Sequence, residues 1–185
     1  MKTKYIFVSD IFGRTESLEK LVESLPFNSI IIDPYDGKRM MFEDEQKAYQ
    51  YFTKHVGLNN YTEQLHQILT AMNAYIYLIG FSVGASVIWR VSERSYANNI
   101  RNAFIFYGSQ IRHYVDIEPK FKINVVCPAE ESHFDINAFI SLIKEKPQVV
   151  INRSNYYHVF MNRCSTNFDD EGYRQHMQLL AQHLR

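Results

Sequence analysis

No excess of either charge appears in this chain: twenty Lys and Arg stand against twenty Asp and Glu in 185 residues. Binding to phosphate backbones needs concentrated positive charge, so the balance argues against a nucleic-acid partner and against an anionic membrane surface. Cysteine is almost missing. Cys127 ends an apolar run and Cys164 lies in a loop-like stretch, so a reduced cytoplasmic protein is a simpler expectation than a disulfide scaffold. No apolar run approaches the roughly 20 residues of a membrane-spanning helix. The one at the N-terminus is shorter than a signal peptide needs and stops at Asp10. Repeats, linkers and low-complexity tracts are also lacking, which leaves one domain over residues 1–185 as the expectation. Hydrophobic residues make up 46% of the chain, enough for a substantial core and too many for a disordered segment.

Short apolar runs alternate with segments of helical period. The strand candidates are 5–9, 29–33, 74–79, 103–107, 123–127 and 148–152. They are rich in β-branched and aromatic residues, nearly continuous in hydrophobicity, and bounded by Gly, Pro, Asp or Asn. Strands buried on both faces have this pattern. Between them, Leu18, Leu21, Val22 and Leu25 follow the i, i+3, i+4, i+7 spacing of an amphipathic helix, and Phe139, Ile140 and Ile143 mark another ending near Glu145. Segments 43–55 and 61–72 also read as helical. A last helix begins after Asp169-Asp170-Glu171, whose charges suit the positive end of its dipole. Such alternation predicts a mostly parallel sheet of about six strands with helices on both faces.

Glycine is scarce, 7 in all, and two of them fall in Gly80-Phe81-Ser82-Val83-Gly84. At this composition a G-x-S-x-G pattern arises by chance about two times in a hundred. Here it joins the end of an apolar run to the start of a small-residue helical pattern. A tight strand-to-helix turn in that place lifts the serine hydroxyl above the sheet edge, and the amide of the next residue, Val83, becomes an oxyanion donor. Ligands of open parallel sheets bind at the carboxyl ends of the strands. Asp10-Ile11-Phe12-Gly13 follows the first strand, Ser82 the third, Pro128-Ala129-Glu130-Glu131-Ser132-His133 the fifth, and His158 comes after the sixth. Nucleophile, acid and base thus run in the order Ser…Asp/Glu…His, the chain order of the α/β-hydrolase triad.

These residues resemble the dienelactone hydrolase family of α/β-hydrolases over essentially the whole chain. Asp10-Ile11-Phe12-Gly13 is similar to that family's E-I-F-G turn, and Ile32-Asp33-Pro34-Tyr35 to its second strand end. Gly80–Gly84 is similar to its nucleophile elbow, and Tyr157-His158-Val159-Phe160 to its H-G-F segment. Two departures stand out: serine replaces the founding enzymes' cysteine, and Val159 replaces glycine after the histidine. The resemblance implies a small α/β-hydrolase fold without a lid domain, with Ser82 as nucleophile and His158 as base. It also implies Glu131 as the acid, Ile11 as the second oxyanion donor, and Asp10 at the family's glutamate position beside the nucleophile.

Each assignment has an ordinary alternative. Ser82 could cap the helix that follows it. His133 is the other candidate base, while Glu130 and Asp135 compete for the acid. Asp135 precedes a helical pattern and could simply cap it, and Asp10 could simply stabilise its turn. Arg14 and Arg39 are candidate substrate-carboxylate ligands or solvated surface residues. No metal spacing and no phosphate loop are present, so no cofactor or metal is expected. The expected activity is hydrolysis of a small ester, thioester or lactone through an acyl-enzyme. The rivals are a hydrolase of another bond on this fold, and a catalytically silent binding protein.

Overall fold

The computed structural model describes residues 2–94, 96 and 99–184. The strands are β1 (Thr3–Val8), β2 (Ser29–Ile32), β3 (Tyr75–Phe81), β4 (Ile100–Phe106), β5 (Ile123–Cys127) and β6 (Val149–Arg153). They form one sheet in the order β2-β1-β3-β4-β5-β6, and every pair is parallel. The helices are α1 (Glu16–Glu23), α2 (Glu45–His55), α3 (Gly57–Ala71), α4 (Val83–Val91), α5 (Ile136–Ile143) and α6 (Asp170–His183).

Successive residues of a strand face opposite sides of the sheet, so a strand covered on both faces must be apolar at every position. In β1, Ile6 and Val8 pack on the side of α2, α3, α4 and α5, whereas Phe7 packs on the side of α1 and α6. The same split separates Ala103 and Ile105 from Phe104 and Phe106 in β4. This is the reason for the unbroken hydrophobic runs. The edge strands differ from that expectation: β2 and β6 each keep a single buried residue, since each pairs with a neighbour along one edge only.

Helix starts follow local chemistry. Thr15, Asp44, Asp135 and Asp169 accept backbone N–H bonds at the starts of α1, α2, α5 and α6, satisfying donors that a first turn leaves open. A 3-10 turn, Ser109–His113, follows β4 and has no counterpart in the sequence pattern. Among the described residues no helix is long and apolar enough to cross a membrane.

Candidate active site

Strand β1 pairs with β2 on one side and β3 on the other, so the chain changes winding direction there. The carboxyl ends of β1 and β3 flank a crevice at this switch point. The Asp10 turn and Ser82 stand on its two sides.

Ser82 adopts φ 50° and ψ −111°, a conformation that costs an L-residue about 1–3 kcal/mol. Packing against β1 holds it. A Cβ on Gly84 would lie 2.3 Å from the Val8 carbonyl oxygen and 2.4 Å from that of Ser9, so α4 can sit this close to β1 only with glycine there. A Cβ on Gly80 would meet Ile88 Cδ1 at 2.6 Å. The G-x-S-x-G spacing therefore reflects a steric requirement on both sides of the serine. Ser82 occupies the N-cap position of α4 yet makes no side-chain cap bond, unlike the caps of α1, α2, α5 and α6. Its Oγ lies 3.5 Å from His158 Nε2 instead.

His158 Nδ1 is 2.7 Å from Glu131 Oε1, and the Glu131 side chain is only 4% exposed. The loop that carries the histidine is itself strained: Val159 has φ 65°, rare for a β-branched residue. Val159 is buried in the core beneath α6, so apolar packing holds the left-handed backbone that glycine would otherwise supply. Tyr107, immediately after β4, is a third positive-φ residue, with its ring 5.3 Å from that of His158. Backbone strain thus gathers along the edge of the sheet where the polar side chains converge.

Asp10 is buried, and loss of water pushes its pKa up to about 6, with hydrogen bonds to Phe12 and Asn162 opposing that rise. Its Oδ1 accepts the Phe12 N–H at 2.9 Å and its Oδ2 accepts Asn162 Nδ2 at 2.6 Å. One carboxyl group therefore ties the turn after β1 to the histidine loop. It also borders a cavity of about 30 Å³ shared with Tyr107 and Asn162. Burial raises the thiol pKa of Cys127 to about 12, which leaves it without thiolate character.

Ile11, Ser82, Val83, Glu131 and His158 all line one open cleft of about 990 Å³, and Glu130 and His133 border it too. Asp135 lies apart from the histidine, its carboxylate accepting the Asn137 and Ala138 amides at 2.8 and 3.2 Å as the cap of α5. Arg14 and Arg39 both pair with Glu19. Asn162, Tyr107 and Arg112 escaped the sequence reading. The first pairs with a residue 152 positions away, and no local pattern marks such a contact. No group of three or more His, Cys, Asp or Glu side chains that could hold a metal occurs among the described residues.

No protein-family model matches the chain. A search of curated proteins finds similarity to Uncharacterized protein YczH of Bacillus subtilis (strain 168), 31% identical over 131 residues. That match covers 69% of this chain and 63% of the other, so the chain spans less than two thirds of that relative's length. Among solved structures, a provisionally assigned dienelactone hydrolase from Klebsiella pneumoniae subsp. pneumoniae superposes with a TM-score of 0.76, 15% identity, and coverage of 96% of this chain and 85% of that one. A dienelactone hydrolase-like promiscuous phosphotriesterase from metagenomic libraries gives 0.66, 13%, 98% and 85%. Est1E from Butyrivibrio proteoclasticus, solved with ferulic acid bound, gives 0.67, 10%, 98% and 88%. The likeness at these identities is one of fold: the chain has the α/β-hydrolase fold.

Proposed function

We propose that the protein is a serine hydrolase, a single α/β-hydrolase domain that cleaves a small ester, thioester or lactone through an acyl-enzyme. The observation that carries this reading is the polar line from Ser82 Oγ through His158 to the buried Glu131 carboxylate, at the carboxyl edge of the sheet. A serine hydroxyl is a weak nucleophile until a base takes its proton. His158 Nε2 takes that proton as Ser82 Oγ attacks the carbonyl carbon. Glu131 holds the proton on Nδ1 and stabilises the imidazolium that forms. The amides of Ile11 and Val83 receive the oxyanion, each donor worth about 3 kcal/mol of barrier. The tetrahedral intermediate collapses, the carbonyl-to-leaving-group bond breaks, and His158 returns its proton to the departing oxygen or sulfur. Water, activated by the same imidazole, then hydrolyses the Ser82 ester and releases the acid. The 3.5 Å separation suits a resting enzyme, in which such bonds are commonly long and tighten with substrate bound.

The cycle uses protein groups alone. A reducing, cytoplasmic setting belongs to this reading and is supported by Cys127 and Cys164 both being free thiols. A fluorophosphonate probe tests the proposal. Mass addition on Ser82, abolished in Ser82→Ala and strongly slowed in His158→Gln, is the expected result. A folded protein that takes up no probe would overturn it and favour a binding role for the cleft.

A further inference from the structure

Tyr35 comes shortly after β2, and its hydroxyl is a buried group that the proposed cycle does not use. Its Oη donates to the Ile11 carbonyl at 2.6 Å. The residue is held from several directions. The Asp33 carboxylate accepts the Tyr35 N–H at 2.8 Å and the Gly37 N–H at 3.0 Å, which fixes the backbone. Phe42 and Tyr51 meet the ring edge-on, with centroids 5.7 and 5.8 Å away. A Cβ on Gly13 would lie 2.5 Å from Tyr35 Cδ2, so glycine is what lets the turn after β1 approach the ring this closely. Burial, reinforced by the nearby Asp10 carboxylate, pushes the phenol pKa above its ordinary value, so the hydroxyl remains a donor throughout the neutral range.

The bond matters because of where Ile11 sits. Ile11 lines the cleft with Ser82 and, among the described residues, its N–H donates to no protein group. The direction of that N–H is set by the two rigid peptide planes that meet at the Ile11 Cα. The plane before it is held by its oxygen, the Asp10 carbonyl, which accepts the Gly13 N–H at 3.1 Å and the Ser9 hydroxyl at 3.2 Å. The plane after it is held at both ends: Tyr35 Oη meets the Ile11 carbonyl, and the Asp10 carboxylate accepts the Phe12 N–H at 2.9 Å. Among the described residues no other N–H or O–H reaches the Ile11 carbonyl. Removing the Tyr35 hydroxyl would leave it a buried acceptor without a partner, which favours rotation of its plane. The two planes share the φ and ψ of Ile11, so freeing the second loosens the first.

We propose that Tyr35 is a positioning residue: its hydroxyl fixes the Ile11–Phe12 peptide and so keeps the Ile11 N–H aimed at the oxyanion. This inference rests on the serine-hydrolase reading and adds to it a side chain outside the triad. Tyr35→Phe keeps the ring packing and removes only the hydroxyl. With p-nitrophenyl butyrate, kcat should fall by about 10-fold, less than the about 10²–10³ of losing a donor outright, because the amide is loosened and not deleted. KM should barely change, since the interaction is made in the transition state alone. An alkyl trifluoromethyl ketone, whose adduct with Ser82 places an oxyanion in the hole, should lose affinity by about the same 10-fold factor. The pH dependence of kcat/KM should keep its midpoint, because the surroundings of His158 are unaltered. Tyr61→Phe is the comparison. It removes another buried hydroxyl, which donates to the Ser9 and Ile32 carbonyls at 3.2 and 3.0 Å, and should lower the thermal midpoint similarly while kcat and ketone affinity hold. An equal loss of kcat in Tyr61→Phe, or a shifted pH midpoint in Tyr35→Phe, would mean general damage to the site and overturn the proposal. A protein that hydrolyses the ester and whose Tyr35→Phe form keeps both kcat and ketone affinity overturns the proposal alone. An unaltered protein that hydrolyses no ester and takes no fluorophosphonate overturns the hydrolase reading, and this proposal with it.

Discussion

Replacing Asp10 by Asn should change how stability depends on pH, and by an amount the structure supplies. The Asp10 carboxyl titrates near 6 in the folded protein against an ordinary 3.8, because burial disfavours its charged form more than its two hydrogen bonds favour it. The folded chain therefore keeps a proton that the unfolded chain has already released between about pH 4 and pH 6. Stability from this group is fully present below the unfolded value and is lost as pH rises through the folded one. A difference of about two pH units corresponds to about 3 kcal/mol. Asparagine has the same shape and does not titrate. Any loss of the bond to Asn162 adds an offset that is the same at every pH. Urea denaturation of both proteins at pH 4, 5, 6, 7 and 8 gives the difference directly. Relative to the unaltered protein, Asp10→Asn should gain about 2.5 kcal/mol between pH 4 and pH 8, with most of the change between 4 and 6. Parallel stability curves over the whole range would refute the reasoning. They would mean that water reaches the carboxyl group, or that the Phe12 and Asn162 bonds offset burial completely.

Other substitutions probe the elbow and the acid. Glu131→Gln should lower ester turnover by about 10³–10⁴-fold, because an amide no longer stabilises the imidazolium. Asp135→Ala should instead cost about 1 kcal/mol of stability through the lost cap of α5 while turnover persists. Equal turnover in Glu131→Gln and the unaltered protein would remove Glu131 from the triad. Gly84→Ala drives a methyl group into the Val8 and Ser9 carbonyls at the end of β1 and should destabilise the fold by about 3 kcal/mol or more, read as a fall in the denaturation midpoint. Ser82→Gly should be more stable than Ser82→Ala by about 1 kcal/mol, since glycine tolerates the positive φ that alanine must strain to adopt. Identical thermal midpoints for the two would show that the elbow stores no strain.

Much of the fold could be read from the chain because its causes are local. The run 123–127 coincides with β5, and the other five predicted strands differ from those observed by a few residues at their ends. Continuous hydrophobicity is what two covered faces require, and the amphipathic spacing around Leu21 is what one covered helix face requires. The 3-10 turn after β4 was not legible, since five residues are too short to show a period of their own. Candidate acids were narrowed to three neighbouring carboxylates. Their separation depended on which one the loop after β5 turns inward: Asp135 faces the first turn of α5, Glu130 remains exposed, and Glu131 meets His158.

The sequence by itself determined the alternation of strand and helix, the glycine-flanked serine at a strand end, and the order in which Ser82, Glu131 and His158 follow their strands. Each of these depends on residues a few positions apart, whose sterics and hydrogen bonding act along the chain. The tertiary structure alone decided the strand order that opens the crevice between β1 and β3. It also decided the Asp10–Asn162 bond across the site and the meeting of Ser82, Glu131 and His158 in one cleft. Those depend on contacts between distant segments, where packing and exclusion of water select one partner among many of the same chemical type.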